Sequence, residues 1–99
     1  MIIFNIILND EKKAGSISLY IIKQKYALQT HIDTNKIITI TGQKKTIHLF
    51  FITKALLYST IERDIEKKFF SKNMIIYATP VSHINEEFGA LLRKNIKAI

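Results

Sequence analysis

The sequence predicts an α+β fold in which four strands and two helices follow the order β-α-β-β-α-β and a third helix closes the chain. Three observations carry this. The run Ile47 to Thr53, IHLFFIT, is rich in β-branched and aromatic side chains and is followed at once by a helical repeat, which marks a buried central strand. Ile2 to Leu8 and Met74 to Thr79 are apolar runs of similar length, and helical spacing of apolar residues recurs after each of the three.

The central run is apolar on both faces. Successive strand side chains alternate, so Ile47, Leu49 and Phe51 point one way and His48, Phe50 and Ile52 the other. A sheet with helices on one side normally shows water a polar second face. This strand therefore asks for a second cover.

The elements follow in order. Ile2, Phe4, Ile6 and Leu8 share one face of the first strand, and Ile3, Asn5 and Ile7 the other. Asn9 and Asp10 can cap the first helix, expected over Glu11 to Lys25, by accepting from its free first-turn amides. Ala14, Ile17 and Ile21, helped by Ile22, form its buried stripe. Gln29 to Asp33 offers a short strand or loop, and Ile37 to Thr41 alternates branched residues up to Gly42. Thr41-Gly42-Gln43-Lys44 is the expected hairpin turn, since glycine supplies positive φ. Leu57, Ile61, Ile65 and Phe69 then mark the second helix, which Ser71, Lys72 and Asn73 break. Met74 to Thr79 is the fourth strand and Pro80 ends it, because proline brings no amide to a ladder. Asn85 is the expected N-cap of a last helix to about Ile96, with Phe88, Leu91 and Leu92 as its stripe. This order is a ferredoxin-like split βαβ sheet, antiparallel, with two helices on one face.

Composition bounds the function. At 99 residues the chain is a single domain, residues 1–99. It has no cysteine, which excludes disulfides, thiolate metal sites and cysteine nucleophiles and suits a reducing compartment. The start MIIFNIILND is short, lacks a basic stretch and meets charge at Asp10, so it reads as neither a secretory signal nor a membrane span, and a cytoplasmic location is expected. Fifteen Lys and Arg against eight Asp and Glu give a net charge of +7, which favours polyanions. The basic residues are scattered in pairs, though, and mark out no arm.

Four strands outline about 350 Å² of open sheet, the scale of the largest apolar patch a monomer usually shows. A stable interface buries about 800 Å² per partner, so the face must be joined by edges or the last helix. A closed homo-oligomer follows, with Ile47, His48, Phe50, Phe51 and Ile52 as its expected interface.

Ile75-Ile76-Tyr77-Ala78-Thr79-Pro80-Val81, then Asn85-Glu86-Glu87-Phe88, then Leu91 or Leu92 before Arg93, resembles the C-terminal part of the CutA family, the divalent-cation tolerance proteins. Asn9-Asp10-Glu11, Lys25-Tyr26-Ala27, Gly42 and Ile52-Thr53-Lys54 fit the same order. The resemblance implies a homotrimer of PII/CutA-like subunits, no enzymatic reaction, and an association with copper and other divalent cations. The chain departs from the family at Ile6 and Ile7, where members often carry cysteine and threonine, and at Phe69 to Met74, which replaces a His-Pro-Tyr-Glu-x-Pro stretch. In the hairpin only Gly42 matches.

The candidate metal ligands are His31, Asp33, His48 and His83, of which His31-x-Asp33 shares a strand face. A site needs three or four convergent donors, and a trimer turns one histidine into three around an axis. Catalytic candidates are lacking: no serine sits in an elbow motif, and the glycines at 15, 42 and 89 form no phosphate loop. The competing function is an RNA-binding module of RNA-recognition-motif type, which shares the element order, a basic surface and aromatics on the open sheet. Its third-strand glycine is missing from Thr46-Ile47-His48-Leu49-Phe50-Phe51. The expectation is a non-enzymatic homotrimer, CutA-like, with a divalent-cation tolerance or signalling role, a divalent metal such as copper as its one cofactor candidate, and no membrane partner.

Overall fold

The structure, a computed structural model, describes residues 1–98. In chain order it holds β1 (Ile2–Leu8), α1 (Glu11–Lys23), β2 (His31–Thr39), β3 (Gly42–Thr53), a 3-10 turn (Ala55–Leu57) running into α2 (Tyr58–Phe69), β4 (Ile75–Pro80) and α3 (Glu86–Asn95). The sheet order is β2-β3-β1-β4 with every neighbouring pair antiparallel. This is the split βαβ arrangement the element order predicts.

The core lies between the sheet and the first two helices. Phe4, Ile6, Leu8, Ile47, Leu49 and Phe51 face it from β1 and β3, and Ala14, Ile17, Ile21, Leu57, Ile61 and Ile65 close it from the helix side. Phe4 and Phe51 sit opposite each other across the strands and stack, ring centroids 5.1 Å apart and 10° from parallel. Ile47 and Phe51, expected at an oligomer interface, are thus inside the subunit's own core at 7% and 0% exposure. Alternation alone left open which set of side chains faced the helices.

The helix ends explain two further differences. Asp10 caps α1 by accepting from the Lys13 amide at 3.0 Å. The helix stops at Lys23, short of the expected Lys25, because Lys25 turns left-handed (φ 60). The Tyr26 amide then donates to Ile21 O at 3.1 Å and the Lys25 amide to Ile22 O at 3.0 Å. Ile22 rotates to the wet side, and Ser18 takes its place in the buried stripe. In α3, Asn85 holds the N-cap position without a side-chain cap bond, and Gly89 and Leu92 are the buried residues while Leu91 is exposed.

The hairpin is longer than its composition suggested. β2 is one nine-residue strand, the turn is Ile40-Thr41, and Gly42 (φ +136) is already the first residue of β3, paired with Thr39. Thr39 Oγ1 fastens the turn, accepting from the Thr41 amide at 3.3 Å and donating to Gly42 O at 3.0 Å. β1 gives out at the Leu8–Ile47 pair, so the five pairs from Asn35–Thr46 to Thr39–Gly42 continue as a two-stranded arm. Its reach is ~17 Å. Ile38 and Ile40 stand on it at 76% and 105% exposure. The molecule accordingly measures 44 × 28 × 19 Å.

Phe50 and Phe51 separate the two faces experimentally. Phe51→Ala should lower the stability of the subunit by about 3–5 kcal/mol, as for a buried aromatic whose cavity cannot collapse. Phe50→Ala, on the other face, should cost a dilute subunit no more than about 1 kcal/mol, read as the shift of the denaturant midpoint at constant slope.

Candidate functional site

The candidate site is the sheet face turned away from α1 and α2. Register places Asp33 opposite His48 and His31 opposite Phe50 on β2 and β3, Asn5 opposite Phe50 and Ile7 opposite His48 on β1, and Tyr77 opposite Asn5 on β4. Ile3, Ile52, Thr79 and Ile75 complete this face. It is the mainly apolar second surface that the central run predicts, with a polar spine across its middle.

Asn5 anchors that spine. Its side chain is 4% exposed, and its Nδ2 donates to Ile3 O at 3.0 Å, to Thr79 Oγ1 at 3.1 Å and to Tyr77 O at 3.4 Å. Two of those partners are carbonyls, which can only accept, so the amide orientation is settled by chemistry. Asn5 Oδ1 then lies 2.8 Å from His48 Nε2. Because Oδ1 can only accept, His48 must carry a proton on Nε2. Asn5 was legible only as one polar residue in an apolar strand, IIFNIIL. What would single it out is that a lone amide on a central strand must find partners on both neighbours.

The expected metal ligands are only partly brought together. Asp33 and His48 are cross-strand neighbours on the open face. His31 shares that face, and Phe50 packs against both imidazoles, stacked on His31 at 4.9 Å and tilted against His48 at 4.8 Å. His83 lies in the loop before α3, 3.3 Å from Ser82 Oγ. Among the described residues no three His, Cys, Asp or Glu side chains converge within one subunit. Of the expected interface residues, His48 and Phe50 are half-buried on the open face, and Ile52 meets Phe88 and Leu92 of α3 with Leu28 around a cleft of about 60 Å³. The last helix thus roofs one corner of this face and leaves the His48 region free of it.

On the helix side a second polar cluster is structural. The Asp64 carboxylate accepts from Tyr26 Oη at 2.5 Å and Tyr20 Oη at 3.2 Å, tying α2 to α1 and to the turn after it. Burial, then the Asp64 charge and hydrogen bond, pushes the Tyr20 phenol above its usual range. Burial and the Asp64 bond push Tyr26 further still, and burial with the Glu62 bond raises Tyr58. Each phenol holds its proton more tightly folded than unfolded, so its contribution is complete below pH ~10 and is lost as pH rises through the folded value. Stability should fall above pH ~10, and Tyr26→Phe should flatten that fall, measured by denaturant titration from pH 8 to 11.

No family model and no curated protein matches the sequence. Solved structures do match the fold. The CutA1 of Pyrococcus horikoshii superposes with a TM-score of 0.87 at 16% identity, over 99% of this chain and 100% of that one. The Archaeoglobus fulgidus protein, described as a periplasmic divalent cation tolerance protein, CutA, gives 0.84 at 15% identity over 98% and 100%. The CutA of Synechococcus elongatus, solved with a Bis-Tris molecule, gives 0.85 at 8% identity over 96% and 92%. Over nearly its whole length the chain has the fold of the CutA divalent cation tolerance proteins.

Proposed function

We propose that this chain is a CutA-like, non-enzymatic homotrimer acting in divalent-cation tolerance or signalling. The single observation that carries the assembly is the arm at residues 35–46. A two-stranded hairpin is marginal by itself in water, yet this one bears Ile38 and Ile40 at its far end, both exposed in the subunit. Together with the open face it provides the extra area that the sheet alone does not supply toward about 800 Å² per partner. Full-length likeness to CutA folds supports three copies, since the family resemblance implies a trimer. The polar spine supports a non-enzymatic reading, because His48 bonds an amide rather than a hydroxyl or thiol.

The cysteine-free chain suits a cytoplasmic setting, whereas the Archaeoglobus neighbour is described as periplasmic. Among the described residues no helix is long and apolar enough to cross a membrane.

One observation favours RNA binding. His31, Phe50 and His48 form a ladder of rings on the open sheet, with Tyr77 on β4, in a chain of net charge +7. Against it, the matching face of β1 offers Ile3, Asn5 and Ile7 and no aromatic for a base to stack on.

Light scattering coupled to size separation decides between the two. A trimer at micromolar concentration is expected, and Ile38→Ser with Ile40→Ser should weaken it while leaving the subunit folded. A monomer throughout, with salt-sensitive binding of single-stranded RNA, would overturn the proposal.

A further inference from the structure

We propose that the end of the molecule opposite the arm is a docking surface for an anionic lipid bilayer, with Lys23, Lys25, Lys54, Arg63 and Lys97 attracting the headgroups and Ile22 and Leu56 entering between them. It uses neither the arm nor the open sheet face, so it does not rest on the homotrimer.

Hydrogen bonds bring these residues together from distant parts of the chain. Lys54 follows Thr53, the end of β3 farthest from the hairpin. Thr53 Oγ1 donates to Tyr26 O at 2.6 Å, which sets the turn after α1 against that end. Lys25 stands in this turn with its left-handed backbone, and its carbonyl accepts from the Lys97 amide at 2.7 Å. Lys54 Nζ in turn donates to Ile96 O at 3.3 Å and to Lys97 O at 3.1 Å. Arg63 on α2 is near enough to Tyr26 for its charge to oppose the rise of that phenol.

The positive charge here is not cancelled locally. Among the described residues, Lys54 bonds only carbonyls and none of the five cations shares a hydrogen bond with a carboxylate. Asp64, the acid beside them, is already engaged by the Tyr20 and Tyr26 hydroxyls. Lys23, Lys25, Arg63 and Lys97 are exposed. Two large apolar side chains stand among them unburied: Ile22, next to Lys23, at 40% exposure, and Leu56, two residues after Lys54, at 77%. Leu19, 75% exposed, lies one turn back on the same side of α1.

Cations beside protruding aliphatic side chains match a bilayer surface, where attraction to anionic lipid and burial of apolar area add. A nucleic acid would use the charge and leave Leu56 in water. The rings a base could stack on are also taken, since Tyr20 packs against Phe69 under Lys68 and Tyr26 is buried. An acidic peptide asks for a groove, and the cleft beside α3 is lined by none of these residues. No described helix can cross a bilayer, and contact with its surface asks for none.

Vesicle sedimentation with the full chain tests the surface, using phosphatidylglycerol mixed with phosphatidylcholine against phosphatidylcholine alone. Binding to the anionic vesicles only, weakened by salt, is expected. Each cation near such a surface is worth about fivefold, so Lys23→Gln with Lys25→Asn, the second suited to a left-handed backbone, should weaken binding about 20–30-fold. Lys44→Gln with Lys45→Gln removes the same charge from the arm and should change it less than about threefold, because the attraction fades over a Debye length. Leu56→Ser should weaken binding with the salt dependence kept. All five positions are exposed, so the fold tolerates these changes. Equal losses from the two lysine pairs would reduce the effect to net charge and overturn the surface. So would indifference to anionic vesicles, or capture of RNA or poly-glutamate by this end with vesicles ignored. Light scattering decides the trimer separately, whichever of these results is found.

Discussion

A four-stranded sheet has two faces, and the rest of this structure depends on the chain owning helices enough for only one of them. α1 and α2 bury Phe4, Ile6, Leu49 and Phe51 completely. On the other side, α3 closes the corner at Ile52 and His31, where Phe88 and Leu92 line a cleft with them. What remains is a surface of Ile3, Ile7, Phe50 and Ile75 with one polar spine across it. Apolar area of this kind weakens a monomer's solubility and strengthens association, so the missing cover and the quaternary structure are one question.

The spine gives that surface its character. An apolar face alone specifies burial without register, whereas a buried amide with fixed donors and acceptors permits few arrangements. Asn5 is tied to both neighbouring strands, to β4 through Tyr77 O and Thr79 and to β3 through His48. It thereby orders the middle of the sheet and holds His48 through Nε2. The arm contributes in another way. It extends past β1, so its backbone has only itself for company until something else arrives.

Much of the architecture was legible in the residues. β1 runs over the expected Ile2 to Leu8, and the α2 stripe Leu57, Ile61 and Ile65 is buried as its spacing indicated, because long periodic runs report which side of an element is dry. The hairpin was not. Gln43 and Lys44 are polar and read as part of the turn, yet they pair as strand because this exposed stretch of the hairpin imposes no apolar alternation. Orientation was also hidden: Ile47 and Phe51 differ from Phe50 and Ile52 only in parity, and parity becomes burial only once the helices choose a side. Leu91 exchanged places with Gly89 for a similar reason, since α3 packs through a corner rather than along a stripe. Of the four metal candidates, sequence spacing joined His31 to Asp33, whereas strand pairing joins Asp33 to His48. That partnership lies between strands and has no spacing signature.

Amide hydrogen exchange across the arm at residues 35–46, followed by NMR over a dilution series, tests most directly whether copies of this subunit shelter one another. Protection of these amides should approach that of β1 at high concentration and be lost, ahead of β1, on dilution. Arm amides that exchange freely at every concentration, while β1 stays protected, would contradict it.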